Sequence, residues 1–292
     1  MTRRVATLVG LTAILMWSML ATLTAASGAV PPFLLNALCF GASGLVGLVA
    51  VWLRTGSLAV MRQPWPVWAL GVCGLFGYHF LYFTALKTAP PADASLICYL
   101  WPLLIVVFSG FLPGEKLKVH HVVGALAGLA GAALIVTRGG TALSLSPAYA
   151  AGYGVAVVAA LTWALYSVLS RRFAGVPSAT VAGFCLATGV LSALCHMAFE
   201  TTVWPQGAME WGAVALLAAL PVGLAFFTWD IGMKHGDIQV LGAAAYAAPL
   251  LSTLLLIAVG ISEPGYVLLI ACVLISGGGL IAARDMLRRP PR

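Results

Sequence analysis

Uninterrupted apolar runs, each long enough to cross a bilayer, recur along this chain with only short polar links between them. A helix needs about 20 apolar residues to span the hydrocarbon core. The runs read as ten blocks: Val5 to Ala25, Pro31 to Leu53, Trp65 to Leu86, Ala92 to Leu112, Val119 to Val136, Tyr149 to Ser170, Pro177 to Phe199, Glu210 to Ile231, Ile238 to Val259 and Gly265 to Ala283. Ten such spans leave no room for a soluble domain in 292 residues. Short links also make consecutive helices antiparallel neighbours. The fold class expected is therefore an all-α polytopic membrane protein with ten transmembrane helices.

Composition agrees with that reading. Apolar residues make up 62% of the chain and charged residues 8%, where a soluble domain has about half and about a quarter. Mean hydropathy is +1.03. These values exclude a soluble enzyme, a nucleic-acid binder and a disordered scaffold. The net charge of +7 comes from 15 basic residues scattered between the blocks, a pattern that orients a membrane protein. Thirteen of them lie at the N-terminus, in the even-to-odd links and at the C-terminus, against Lys87 and Arg138 in the other links. Both termini are therefore expected in the cytoplasm. Arg3 and Arg4 precede the first block as in a signal peptide, but its apolar stretch exceeds the roughly 7–15 residues of a signal core. It is expected to remain as a span. Cys39, Cys73, Cys98, Cys185, Cys195 and Cys272 all fall inside apolar blocks without a CxxC pair and read as packing residues.

The two halves echo one another. A shift of 146 pairs Ala13, Leu15, Trp17 and Leu23 with Ala159, Leu161, Trp163 and Leu169. A shift of 147 pairs Phe80 with Phe227, Lys87 with Lys234, Tyr99 with Tyr246, Pro102-Leu103-Leu104 with Pro249-Leu250-Leu251, and Gly131 with Gly278. Five spans per half is an odd number, so the second half enters from the opposite side. The expected division is a first five-helix repeat over 1–139, an inverted second repeat over 147–284 and a basic cytoplasmic tail over 285–292. Inverted repeats are an architecture of secondary transporters, with the substrate site near midplane between the halves.

The stretches Ala85-Leu86-Lys87, Pro102, Gly114-Glu115-Lys116 and Ser262-Glu263-Pro264, set in two five-helix halves, resemble the drug/metabolite transporter superfamily of EamA type over nearly the whole chain. More narrowly, the aromatic-rich third and fourth spans, Tyr78-His79-Phe80 to Trp101-Pro102, look like the YddG-type exporters of aromatic amino acids. The resemblance implies a multi-pass protein of the inner membrane that exports such solutes.

Candidate pathway residues follow from what lipid does not tolerate. His79, Asn36, His196 and Asp230 are polar groups inside spans, where ionisable groups are costly and functional by default. His196 and Asp230 sit near span ends, where facing water is the simpler expectation. Asn36 fits equally well as a hydrogen-bond donor to a neighbouring helix. Trp65, Trp68, Trp204 and Trp211 lie near span ends and suit the interfacial belt. Trp17, Tyr78, Tyr82, Tyr99, Trp101, Trp163 and Tyr166 lie deeper. With His79, they are the substrate-binding set expected of an aromatic-lined cavity, because buried phenol and indole groups need polar partners. Pro102, Pro221 and Pro249 interrupt spans. Pro102 and Pro249, repeat mates, are the expected hinges, a static kink being the alternative. Gly124, Gly128 and Ala132, and Gly277 to Gly279, have the spacing of close helix packing.

The expected function is a secondary transporter exporting small neutral or zwitterionic metabolites, aromatic and other amino acids first, by alternating access. Phosphorylated cargo would demand deep Lys or Arg, and the basic residues fall in links, tails or at span ends. A facilitated-diffusion uniporter, or export of other metabolites or drugs, is the alternative. An intramembrane enzyme is remote, since the chain has no HExxH helix, facing aspartate pair or Ser-His pair in the membrane. No metal, cofactor or nucleic acid is expected. The partners are an amino-acid-like solute and the lipid bilayer, with a monomer among the assemblies the sequence allows.

Overall fold

The computed structural model describes residues 1–260, 263 and 265–288. Ser262 and Pro264 of the Ser-Glu-Pro motif, and the tail beyond Arg288, lie outside the described residues. Among the described residues every regular element is helical. Nine helices among the described residues are long and apolar enough to span a membrane: α1 (Arg3–Ala26), α2 (Pro32–Thr55), α3 (Trp65–Thr88), α4 (Pro91–Ser109), α5 (Val119–Val136), α6 (Pro147–Phe173), α7 (Ser178–Phe199), α8 (Gly207–His235) and α9 (Ile238–Ala258). A shorter apolar helix, α10 (Tyr266–Ala282), follows, then α11 (Arg284–Arg288). The chain is a multi-pass membrane protein.

Local chemistry explains where these helices start and stop. Pro32, Pro66 and Pro91 stand in the first turns of α2, α3 and α4, where the missing N–H has no intrahelical partner to lose. Gly56 ends α2 with φ +66° and donates its N–H to Trp52 O at 2.7 Å, the left-handed cap that glycine adopts without strain. The interior prolines sit where the helix is already interrupted. α4 breaks at Tyr99–Leu100, just before Trp101-Pro102. α9 breaks at Ala245–Tyr246, three residues before Pro249. Pro221 lies in a wide π-type turn, Leu220–Leu224, inside α8. A second such turn, Cys73–Gly77, interrupts α3. π-type turns of this kind collect at functional sites.

The helices pack as α2 on α7, α5 on α10, α1 on α8 and α3 on α6, with α4 against α6 and α9 against α1. Small residues allow the closest approaches. A Cβ at Gly278 would stand 2.5 Å from Gly124 O and 3.0 Å from Gly128 N, whereas Gly277 and Gly279 face open space. Close packing on α10 thus rests on Gly278 alone of the three glycines expected to share it, because only that position points at α5. Leu45, Val46, Val190, Leu194, Leu269 and Val273 point outward and are exposed, as a lipid-facing surface requires.

Polar contacts define two ends. At one end Arg3 opens α1 and pairs with Glu115 (2.8 Å) and Asp237 (3.3 Å), which lie in the α4–α5 and α8–α9 links. Lys118 at the start of α5 pairs with Asp285 of α11. The N-terminus and the segment after α10 therefore share an end. At the opposite end Glu200, closing α7, accepts from the N–H groups of Phe33 (3.0 Å) and Leu34 (3.2 Å) in the first turn of α2. There Asp93 accepts from Ser144 N (3.1 Å), Leu145 N (2.9 Å) and Tyr153 Oη (2.6 Å), tying α4 to the α5–α6 link and α6.

Candidate functional site

A cavity of about 840 Å³ lies between the halves, within the roughly 300–1,000 Å³ of small-molecule sites. It reaches the end opposite the N-terminus, where Thr24 and Ala25 of α1, Val30 and Pro32 form its rim. Seven of the eight expected site residues line it: Trp17, Tyr78, His79, Tyr82, Tyr99, Trp101 and Trp163. Asn36 lines it too, as do Pro221 and Pro249. Pro102 is buried and is not among the described lining residues. Tyr166 faces away, toward a small space beside Asp230, Lys234 and Phe184. It is one turn from Trp163 on α6, and its ring packs at 5.2 Å on the Trp163 ring from behind.

Helix periodicity sets the aromatic wall. Tyr78 and Tyr82 share a face of α3 and stack at 5.9 Å with an interplanar angle of 7°. Tyr78 also lies 5.4 Å from Trp163. The deep end is a four-indole cluster contributed by α1, α4, α6 and α8. Trp17 lies 6.3 Å from Trp101, 5.8 Å from Trp163 and 5.0 Å from Trp229. Most of these contacts are edge-to-face, the arrangement ring quadrupoles prefer. Phe226 and Ser95 also line the cavity, and Trp229 and Phe40 are fully buried against its aromatic wall; the sequence singles out none of the four. Trp229 is fully buried and donates its indole N–H to Ser167 Oγ at 3.1 Å. Its depth in the eighth block and its position one turn from Phe226 were the available signals.

The hydrogen bonds leave some groups spent and others free. Trp17 Nε1 donates to Pro221 O at 3.1 Å, a carbonyl in the π-type turn of α8. His79 Nδ1 donates to Leu75 O at 2.7 Å, since a carbonyl only accepts. The Nε2 lone pair of the neutral ring stays free for another partner. Tyr82 Oη stands 3.5 Å from Ser95 Oγ. Tyr246 Oη accepts from Leu103 N at 3.1 Å, satisfying a backbone donor freed by the break in α4. No Lys, Arg, Asp or Glu is among the described lining residues.

Beyond the indole cluster the N-terminal end is closed by charge. Glu115 sits between Arg3 and Arg171, which also donates from Nε to Met233 O at 2.8 Å. The Gln239 amide fits with its NH₂ toward Asp237 (3.1 Å) and Glu115 (3.3 Å) and its oxygen accepting from Ser109 Oγ (3.1 Å). Helices α1, α4, α6, α8 and α9 and the α4–α5 and α8–α9 links meet in this cluster. Nearby, Asp230 does not face water as a span-end residue was expected to. It is 3% exposed, pairs with Lys234 at 2.8 Å and accepts from Ser178 Oγ at 2.5 Å, because α8 continues past it to His235. His196 is likewise buried, donating to Glu200 at 3.0 Å and standing 2.8 Å from Thr202 Oγ1. Trp65, Trp204 and Trp211 are exposed near helix ends. Trp68 instead packs on Phe184 at 5.4 Å.

Residues 4–137 and 150–288 each match the EamA-like transporter family. The chain is 58% identical, over 97% of its length and 98% of the relative's, to a protein of Ancylobacter novellus named aromatic amino acid exporter YddG. It is 28% identical to the protein of that name from Escherichia coli, over 96% of this chain and 97% of that one. A solved crystal structure with 57% sequence identity superposes with a TM-score of 0.92, covering 98% of this chain and all of the other. The chain belongs to the EamA-like transporter family.

Proposed function

We propose that this protein exports aromatic and other neutral amino acids across the inner membrane by alternating access. The observation that carries the reading is the cavity wall, with stacked phenols, indoles, one imidazole and no charged side chain among its described residues. Aromatic faces suit an aromatic side chain and the ammonium of a zwitterion. A phosphorylated solute would find no cation there. The names of the relatives from Ancylobacter novellus and Escherichia coli support the same substrate class.

In this reading α10 completes ten spans in two inverted repeats, over 1–139 and 147–284, with both termini and the basic tail in the cytoplasm. Support comes from the π-type turns at Cys73–Gly77 and Leu220–Leu224 and the breaks at Tyr99 and Tyr246, which fall at repeat-matched positions. Support also comes from a packing pattern that exchanges the halves: α1 on α8 mirrors α6 on α3. The cavity then faces outward. The indole floor and the Glu115 cluster are the closed inner gate, and the breaks before Pro102 and Pro249 are the hinges. Solute stacks on Tyr78, Tyr82, Tyr99, Trp101 and Trp163 while the halves rock. One chain holds both repeats, so a monomer in the bilayer suffices. Among the described lining residues no constellation for chemistry is found, which favours transport over catalysis.

The test is uptake of labelled phenylalanine, tryptophan, threonine and a sugar phosphate into liposomes holding the purified protein, with and without a pH gradient. Saturable amino-acid uptake with no sugar-phosphate uptake is expected. Absence of amino-acid flux in a monodisperse preparation overturns the assignment. The described wall holds one imidazole, His79, and no carboxylate, which favours facilitated diffusion. A flux indifferent to the pH gradient is the corresponding result.

A further inference from the structure

Asn36 is the least explained residue of the cavity. It lies in α2 and is 7% exposed, yet its Nδ2 has no hydrogen-bond partner among the described residues. An asparagine in a membrane helix ordinarily bonds to a neighbouring helix. A buried donor left unmade is costly. Asn36 lines the cavity; its Nδ2 is closed off in this conformation, and rotation of the terminal amide is what brings the donor to a solute.

Its surroundings sharpen the point. Phe33 and Phe40 flank Asn36 along one face of α2, and both reach α3. Phe33 lies 5.5 Å from Phe83, and Phe40 meets the His79 ring edge-on at 5.1 Å. Asn36 and His79 thus occupy the same α2–α3 wall. With Nδ1 committed to Leu75 O, neutral His79 offers an acceptor at Nε2. Asn36 offers donors at Nδ2. The indole of Trp17 is already used on Pro221 O, and the described wall has no cation to meet a carboxylate.

We propose that Asn36 is a specificity-determining residue. Its Nδ2 donates to the α-carboxylate of the bound amino acid while His79 Nε2 accepts from the α-ammonium, and the side chain lies over Tyr78 and Trp163. This rests on the amino-acid exporter reading and adds the part that tells an amino acid from its carboxylate-free analogue. A neutral amide, rather than arginine, holds the carboxylate here, so the site grips and releases a zwitterion without a strong ion pair.

The experiment measures KM for labelled phenylalanine in liposomes and inhibition of that uptake by unlabelled phenylalanine and by phenylalanine amide, whose carboxylate is capped. The parent protein, N36L and N36D are compared. In the parent, phenylalanine should compete at least tenfold better than its amide, the scale of a hydrogen bond to a charged group. N36L should raise KM for phenylalanine about tenfold and leave inhibition by the amide unchanged. N36D, which faces the carboxylate with another, should lose phenylalanine and gain inhibition by the cationic amide. The parent comparison needs no variant to fold. Equal competition by phenylalanine and its amide in the parent, or unchanged KM and selectivity in both variants, overturns the assignment while the exporter reading stands. A parent that carries no amino acid overturns both.

Discussion

Trp163 joins the stacked tyrosines to the indole floor, touching Tyr78, Trp17 and Phe226 at 5.4 to 5.8 Å. Trp163→Ala should cut amino-acid uptake about tenfold, the loss of about 1.4 kcal/mol of aromatic contact. Truncating a buried indole also lowers stability by about 3–5 kcal/mol, so uptake is to be normalised to monodisperse protein. Far from the cavity, the Lys118 ammonium hydrogen-bonded to Asp285 holds that carboxyl below its ordinary value. A depressed carboxyl stabilises above its unfolded pKa, and that contribution disappears as pH falls through its folded value. The pair is partly exposed, so the effect is small. Lys118→Met should lower the melting temperature slightly at neutral pH, with the difference vanishing in acid, as a pH series of thermal scans will show. At this scale the sequence was legible where residues were rare for a lipid environment. His79 and the deep Tyr and Trp residues stood out for that reason. Tyr166 lies behind Trp163 rather than on the cavity, because a three-residue step on α6 does not settle which of two flanking faces meets it. Trp229 escaped because helix periodicity cannot tell a floor from a wall.

Helix α4 depends on a contact from its repeat counterpart. Tyr246, at the break in α9, satisfies Leu103 N at the break in α4. Tyr246→Phe leaves that buried N–H unpaired and should cost about 1–3 kcal/mol, read as a lower melting temperature in detergent. Elements were the most legible level of the chain. Apolar run length located the helices within a few residues, the exception being α8, which runs on through Asp230 and Lys234 to His235. The expected span stops at Ile231, short of Lys234, but inside the protein Lys234 pairs with Asp230 and the helix continues. The breaks before Pro102 and Pro249 were foreshadowed by proline. The π-type turn at Cys73–Gly77 carries no proline and had no comparable signal.

The whole molecule is asymmetric end to end, with an aromatic cavity toward one end and ionic links across the other. Glu115, with a side chain 6% exposed between two arginines, is the hub of those links. Glu115→Gln should weaken the closed end and shift the population toward a state open there. A cysteine introduced at Leu241, buried between Gly10 and Gly232, in a background without other cysteines, should then react faster with a membrane-impermeant maleimide from the N-terminal side. An unchanged rate would mean that the indole floor, not the ions, holds the gate. The two halves are legible in the sequence but this polarity is not, because two halves of similar sequence permit either end to be open. The bare cavity wall has an electrical consequence. On the proposed facilitated diffusion, a zwitterion crosses a wall with no charged side chain among its described residues and carries no net charge with it. A membrane voltage, worth about 2.3 kcal/mol per elementary charge for each 100 mV, does no work on such a cycle. On that reading the membrane voltage could neither pull these solutes back through the protein nor be drained by it.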